Sequence, residues 1–375
     1  MKTEQITQNQ LMLFFILYYY STLVGFAASR LIYLSQYDSV LVIFISGLAG
    51  IILAYFVIKL ATRRPNEFFV HYGSEILPKW IHIPIMVFFF VSFLQISGII
   101  LREYEDFIVQ TYLPRTPNWA VGCMFGMVVA VTARLGFENL FRIAQGLFYL
   151  VILGNIGNAI FIGKELQWDR WIAFVTNHSG QGIFNGSFQI APTFGEVVIL
   201  LFLFPYLTQK HKTLKSIMWA TFFSVLFIGQ NIIWLLLLFG PNLSSHLTYP
   251  MLEMIRYIRI ADFIQNLDHL LISIWATMVF LKVTVFFTIS VQIFAHLFRL
   301  KDHRPLTFSL AAVMVALSIN TARGSAEISS FLYYAWPTFL YFLEFIPLLY
   351  LLVDTIKQSN KKNKNRKQIE GLKVE

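Results

Sequence analysis

Ten apolar stretches of helical length recur along the chain, near residues 10–34, 38–60, 82–112, 117–133, 138–163, 183–207, 214–240, 264–298, 306–322 and 330–354. Each is long enough, or nearly so, for a helix that crosses a bilayer. The third and eighth stretches exceed about 20 residues and end in charged turns, so they are expected to tilt or to project from the membrane. Polar residues gather between the stretches. The pattern predicts an all-α integral membrane protein of ten transmembrane helices, with a transmembrane unit over 1–355 and a basic tail over 356–375.

One stretch departs from an ordinary apolar helix. Residues 188–209, FQIAPTFGEVVILLFLFPYLTQ, carry Pro192, Gly195 and Glu196 near their centre. Proline cannot donate a backbone hydrogen bond and clashes with the preceding turn. Glycine tolerates backbone angles that other residues avoid. The pattern predicts a helix broken near mid-membrane and restarting around Gly195–Glu196, with free N–H groups in the gap suited to a carboxylate. A break at that depth is tolerated only inside protein or beside a cavity. The simpler alternative is a proline kink in a packed helix, with Glu196 paired to a neighbour. Thr193 and Phe194 lie between the proline and the glycine and join the candidate binding residues.

Ten stretches divide into five plus five, and the first of each half carries the irregularity. In the first half it is Tyr20, Ser21, Thr22, Leu23, Val24 and Gly25. Interrupted segments at matching positions point to an inverted repeat with a site at its midplane, broken in helices 1 and 6 as in LeuT-like folds. An unbroken helix with Ser and Thr bonded back to the preceding turn is the alternative for the first half. Ser21, Thr22 and Gly25 are the candidate ligand contacts there.

Lys282 lies within WATMVFLKVTVFF, apolar on both sides. An ammonium at membrane depth costs roughly 2.5–3.5 kcal/mol or more, so it must find a carboxylate or a ring of carbonyls. Glu196 is the partner nearest in depth, and a Glu196–Lys282 pair is expected; the alternative is that Lys282 fills the place of a coupling cation. Thr284 and Thr288 follow within two turns. Ser97 and Gly98, midway along the third stretch, suit close helix packing or a substrate contact.

Composition agrees with the pattern. The chain is 57% hydrophobic and 13% charged, with 38 phenylalanines, and its mean hydropathy is +0.63; no soluble class fits. Of the 29 Lys and Arg residues, 20 fall in one set of loops and the termini, eight on the opposite side, and Lys282 inside a helix. That bias places both termini in the cytoplasm and explains most of the net charge of +9. The first segment, MKTEQITQNQ, has no basic start and no cleavage site, so the first stretch is expected to remain as a membrane helix. The basic tail from Lys357 to Lys373 suits anionic lipid. With no aromatic residues interleaved among its charges it does not suit nucleic acid. The connection at 164–182 carries Trp168 and Trp171, suited to the interface. That at 241–263 has Leu252, Ile255, Ile258 and Phe263 near helical spacing, predicting a short capping helix or a partner-binding surface.

Catalytic chemistry is not written here. The eight histidines are scattered, none paired at metal-ligand spacing in a membrane helix. Cys123 is the single cysteine, so there is no internal disulfide or cysteine metal site. Phosphate-cradling glycine loops and nucleophile elbows are missing. No cofactor, metal or enzymatic activity is expected.

Several segments resemble the B subunit of bacterial spore-germinant receptors, a branch of the amino acid–polyamine–organocation transporter superfamily. They are LPRTPNW at 113–119, GFENLFR at 136–142, FGEVVILLFLFPY at 194–206, GPNLSSHLTYPMLEMIRYIRIADF at 240–263, LDHLLISIWATMVFLK at 267–282 and KDHRP at 301–305. The resemblance implies a protein of the spore inner membrane that senses a small amino acid-like germinant alongside an A subunit and a lipoprotein C subunit. It carries Phe194, Gly195 and Glu196 to an unwound sixth helix, Asp262 to an outer cap and Lys282 to the eighth helix. The first helix departs from the family pattern, in which a proline follows the glycine-bearing break. An amino acid/proton or cation symporter is the alternative reading.

Overall fold

A computed structural model describes residues 4–257, 267–322 and 324–371. Among the described residues the architecture is helical throughout, with one isolated parallel bridge between Ile6 and Leu207. The chain opens with a capping box: Thr7 Oγ1 accepts from the Gln10 amide and Gln10 Oε1 accepts from the Thr7 amide, starting α1 (Gln8–Thr22). A π-turn, Leu23–Ala27, leads into α2 (Ala28–Ser35). The chain then reverses at Gln36, whose φ of 44° breaks the helix, and enters α3 (Ser39–Ala61).

The short α4 (Phe69–Ile76) precedes α5 (Lys79–Thr111). α6 (Asn118–Leu135) meets α7 (Phe137–Ile162) at Gly136, with φ of 85°. Glu4 supports this corner by accepting from the Phe137 amide at 2.9 Å. The one-turn α8 (Ala173–Thr176) leads to α9 (Gly180–Gly195), a 3₁₀ turn at Glu196–Ile199 and α10 (Leu200–Leu203). The rest is α11 (Thr213–His246), α12 (Pro250–Tyr257), α13 (Leu267–Leu297), α14 (Leu306–Asn320), α15 (Ser325–Tyr334) and α16 (Trp336–Gly371). Gly240 bends α11 with φ of 73° just before Pro241.

Eight helices among the described residues are long and apolar enough to cross a bilayer, and the protein is a multi-pass membrane protein. The difference from ten has two sources. The stretches at 10–34 and 38–60 run together in a 54-residue segment, Gln8–Ala61. At 1.5 Å per residue that segment is about 80 Å long, over twice the bilayer core, and it is interrupted at Gln36. The ninth stretch becomes α14, whose 15 residues reach about 22 Å, short of the roughly 30 Å core.

The region 180–206 is the most enclosed of the spans, whereas α7 is the most exposed. α9 packs on α3 and α16, α1 on α11 and α7, and α5 on α13. The predicted cap is present as α12, which buries Met251, Leu252 and Met254 against the bundle. Ile258, Asp262 and Phe263 lie outside the described residues. Bilayer-length helices leave apolar faces exposed, such as Leu48, Ile52, Leu153 and Ile160, as expected of a lipid-facing surface.

Candidate functional site

The site is built where the two irregular helices cross α13. On α9, Pro192 offers no amide to the carbonyl of Phe188 four residues earlier, and the Tyr341 hydroxyl of α16 donates to that carbonyl instead, at 3.1 Å. After Gly195 the backbone tightens from α to 3₁₀. The Glu196 amide bonds back to the Pro192 carbonyl, and the Tyr19 hydroxyl donates to the Phe194 carbonyl at 3.2 Å.

The expected gap with free N–H groups is therefore not formed. The irregularity falls at the predicted residues as a change of helix type. Tightening to 3₁₀ keeps the amides bonded within the segment, which the water-free bilayer demands.

The first helix behaves alike. Rather than unwinding, it widens into the π-turn Leu23–Ala27, a device often found at functional sites. Ser21 Oγ donates to the Tyr18 carbonyl at 2.9 Å. The Ser21 carbonyl accepts from Trp275 Nε1 of α13 at 3.0 Å. Gly25 is required here, because a Cβ would lie 2.5 Å from the Trp275 ring.

Lys282 joins the two turns. Its ammonium lies 2.5 Å from Glu196 Oε2, donates to Thr22 Oγ1 at 2.7 Å and sits 4.4 Å from the centre of the Tyr18 ring. The contact with Glu196 is an ion pair; Glu196 Oε2 has no aligned hydrogen bond. Both side chains are buried, so the pair expected from membrane depth is present and also includes Thr22.

The remaining predicted residues divide. Phe194 packs against Tyr19, with ring centres 4.9 Å apart, and against Gly50 of α3. Thr193 is buried on α9. Gly195 faces Glu344 of α16. Ser97 and Thr284 donate to the Phe93 and Phe280 carbonyls of their own helices. That is the back-bonding habit of hydroxyls in apolar helices, and neither residue joins the Lys282 cluster.

Beside the π-turn lies a cavity of about 90 Å³ with Tyr20, Gly25, Asn155, Asn158, Tyr249 and Trp275 in its wall and Leu252 and Ile255 of α12 over it. A single water needs roughly 10–15 Å³ by this measure, so the space suits a small solute. The wall is mostly apolar, and its few polar members belong to a hydrogen-bond network that continues behind it to Asn231 and Gln230. Asn231 Nδ2 donates to the Tyr20 hydroxyl at 3.1 Å and Asn155 Nδ2 does so at 3.4 Å. Gln230 Nε2 donates to Asn155 Oδ1 at 2.8 Å. Asn158 Oδ1 has no hydrogen-bond partner.

Sequence reasoning missed Tyr20, Asn155, Asn231 and Trp275 as a group. The available signal was an amide pair, Asn155 and Asn158, one turn apart inside an apolar helix. His71 Nε2 and His296 Nδ1 also meet, at 2.9 Å, which spacing did not reveal. Among the described residues no three His, Cys, Asp or Glu side chains gather as a metal site.

Comparison with known proteins agrees with this membrane architecture. A family model described as "Spore germination protein" matches residues 5–326. The chain is 29% identical over 210 residues to the putative spore germination protein YfkT of Bacillus subtilis (strain 168), covering 53% of this chain and 54% of that protein. It thus spans about half the length of that relative. It is 22% identical over 293 residues to spore germination protein KB of the same organism, covering 77% and 79% of the two chains. With spore germination protein XB of Bacillus anthracis it shares 23% identity over 234 residues, covering 61% and 63%. With a family match extending over most of its length, the chain belongs to the spore germination protein family.

Proposed function

We propose that this protein is the nutrient-sensing B subunit of a spore germinant receptor, seated in the spore inner membrane with both termini cytoplasmic. In this reading it binds a small amino acid-like germinant and passes the change to A and C subunits. The observation that carries the proposal is the buried Lys282–Glu196–Thr22 cluster, which ties both irregular helices together beside a small, mainly apolar cavity that exposes Tyr20, Asn155 and Asn158. The family is one of spore germination proteins rather than of enzymes. Residues 1–355 serve as the transporter-like unit, and 356–375 as a basic extension on anionic lipid.

Packing supports a five-plus-five inverted repeat, counting α1–α2 as the first pass, α9–α10 as the sixth and α14 as the ninth. Exchanging the halves turns the α1–α11 contact into α9–α3, α1–α7 into α9–α16, and α5–α14 into α13–α6, and each of these pairs packs. The α5–α13, α3–α11 and α6–α14 contacts map onto themselves and also pack. The contacts of α13 with α7, α1 with α13 and α3 with α16 have no counterparts of similar extent between α5 and α16, α9 and α5, and α11 and α7.

A zwitterion in the cavity would meet the Asn155 amide with its carboxylate and Asn158 Oδ1 with its ammonium. Trp275, seated on Gly25, is the element such a ligand would move. A ligand can shift that balance only by its differential affinity for the two arrangements.

The test is germination of spores lacking the gene across a panel of amino acids and nucleosides, complemented with wild-type or Glu196→Gln copies. Loss of response to one nutrient, restored by the wild type alone, is expected. An unchanged response to every nutrient turns attention to the symporter reading, which predicts saturable uptake of a radiolabelled amino acid.

A further inference from the structure

A second buried acid lies at the same junction of α9, against Gly195, the residue before Glu196. Glu344 of α16 is 5% exposed and lies against Gly195, so closely that a Cβ on that glycine would fall 2.1 Å from Glu344 Oε2. It borders a cavity of about 250 Å³ whose other walls include Gly50, Leu53, Ala191 and Phe345. Glu344 Oε1 has no hydrogen-bond partner.

The neighbouring donors are engaged elsewhere. Tyr341, one turn away, donates to the Phe188 carbonyl. Tyr19 donates to the Phe194 carbonyl. Lys282 is held by Glu196 and Thr22.

We infer that Glu344 is a proton-binding site set in the seam between α9 and α16, with the proton as its ligand. An unpaired carboxylate in an apolar cavity is far too costly to persist, and such a group takes up a proton instead. The walls argue against a larger cation. A sodium or calcium ion needs about six oxygen ligands, and here the wall is apolar apart from Glu344 and Tyr341.

The ionisable groups around it are few. The 3₁₀ turn contributes Glu196, already matched by Lys282, and α1 contributes Tyr18 and Tyr19. α16 adds Tyr341, and the lining of α3 contributes none.

Position gives the proton a consequence. Glu344 rests on the residue where α9 gives way to 3₁₀. Once ionised it would need donors, and the neighbouring hydroxyls, Tyr341 and Tyr19, are those that satisfy the Phe188 and Phe194 carbonyls of α9. Release of the proton therefore favours opening of α9 at Gly195, the helix that also carries Glu196.

The experiment uses the full chain in lipid nanodiscs, treated with the hydrophobic reagent dicyclohexylcarbodiimide, which modifies protonated carboxyls in apolar surroundings. Peptides are then mapped by mass spectrometry. The cavity rim residues Ile52 and Phe345 are 53% and 57% exposed, which gives the reagent an entry from the lipid side.

Modification is expected at Glu344 at neutral pH, falling several-fold as the pH is raised, with the paired Glu196 unmodified. The infrared band of a protonated carboxylic acid should also shrink in Glu344→Gln, while that variant keeps the thermal stability of the wild type because an amide imitates the neutral acid. An unmodified Glu344 at every pH, with the acid band intact in Glu344→Gln, overturns the inference. So does labelling that stays constant across the whole pH range in which the protein remains folded.

Discussion

Removing one partner of the Lys282–Glu196 pair and then both separates an ion pair from two independent contacts. In Lys282→Met the Glu196 carboxylate keeps no cation, and stranding a buried charge costs about 3–5 kcal/mol. Glu196→Gln is milder, because Lys282 retains Thr22 Oγ1 at 2.7 Å and the face of Tyr18 at 4.4 Å. A desolvated cation–π contact is worth about 2 kcal/mol, so a loss of about 1–3 kcal/mol is expected. The double variant leaves no stranded charge and should lie within about 1 kcal/mol of wild type, since apolar replacement of a buried pair is often neutral. The assay is the melting midpoint of detergent-purified protein followed by size-exclusion fluorescence. A drop on the order of 5 °C is expected for Lys282→Met, a smaller one for Glu196→Gln, and recovery in the double variant. Additive losses would refute the reasoning, since the residues would then be acting separately. In spores, single variants that each abolish germination, with a double variant no better, would disprove a simple ion pair as the functional unit.

Gly25→Ala should push the Trp275 ring off its bond to the Ser21 carbonyl, because the new Cβ would stand 2.5 Å from the ring; the germinant concentration for half-maximal response should rise several-fold. Gly195→Ala should destabilise by about 1–3 kcal/mol through overpacking against Glu344, and Glu344→Ala in the same chain should restore much of the melting midpoint. The exposed His178 donates to Asp38 Oδ1 at 2.6 Å, and this bond raises its pKa above 6.5. The stabilisation is therefore full below the unfolded value and fades as pH rises through the raised folded value; Asp38→Asn should flatten the dependence of the melting midpoint on pH over that window.

Much of the fold was legible because the bilayer leaves few choices. Apolar length reported the helices, though eight rather than ten among the described residues are long and apolar enough to cross alone, and Pro192 and Gly195 marked the irregular turn because each alters the backbone directly. Glu196 and Lys282 were legible as a pair because charges at membrane depth must find one another. The form of the irregularities was not legible: a proline and a glycine announce a disturbed helix, but whether it opens or changes pitch depends on whether neighbours such as Tyr341 and Tyr19 satisfy the freed carbonyls. The cavity wall and the amide behind it were hidden for a related reason. Tyr20, Asn155, Asn231 and Trp275 are each ordinary in their own helices, and only the packing of α1, α7, α11 and α13 brings them together. Ser97 and Thr284 show why a hydroxyl alone is a weak signal, since in an apolar helix it already has an acceptor four residues back.

The manner in which Lys282 is held weighs between receptor and symporter. A symporter needs a cation that arrives from one side and departs on the other, so its site must empty within each cycle. The ammonium between the two irregular turns is tethered to α13 and touches a carboxylate, a hydroxyl and an aromatic face at once. It cannot leave, and losing its proton would strand Glu196 in a buried site at the cost of several kcal/mol. On the proposed receptor reading this fixed cation would hold α1 and α9 in register, so that a displacement at Gly25 would be felt at Glu196. In the receptor proposed above, the tethered ammonium would stand where a symporter holds a moving cation and would link the cavity beside Gly25 to the helix that carries Glu196.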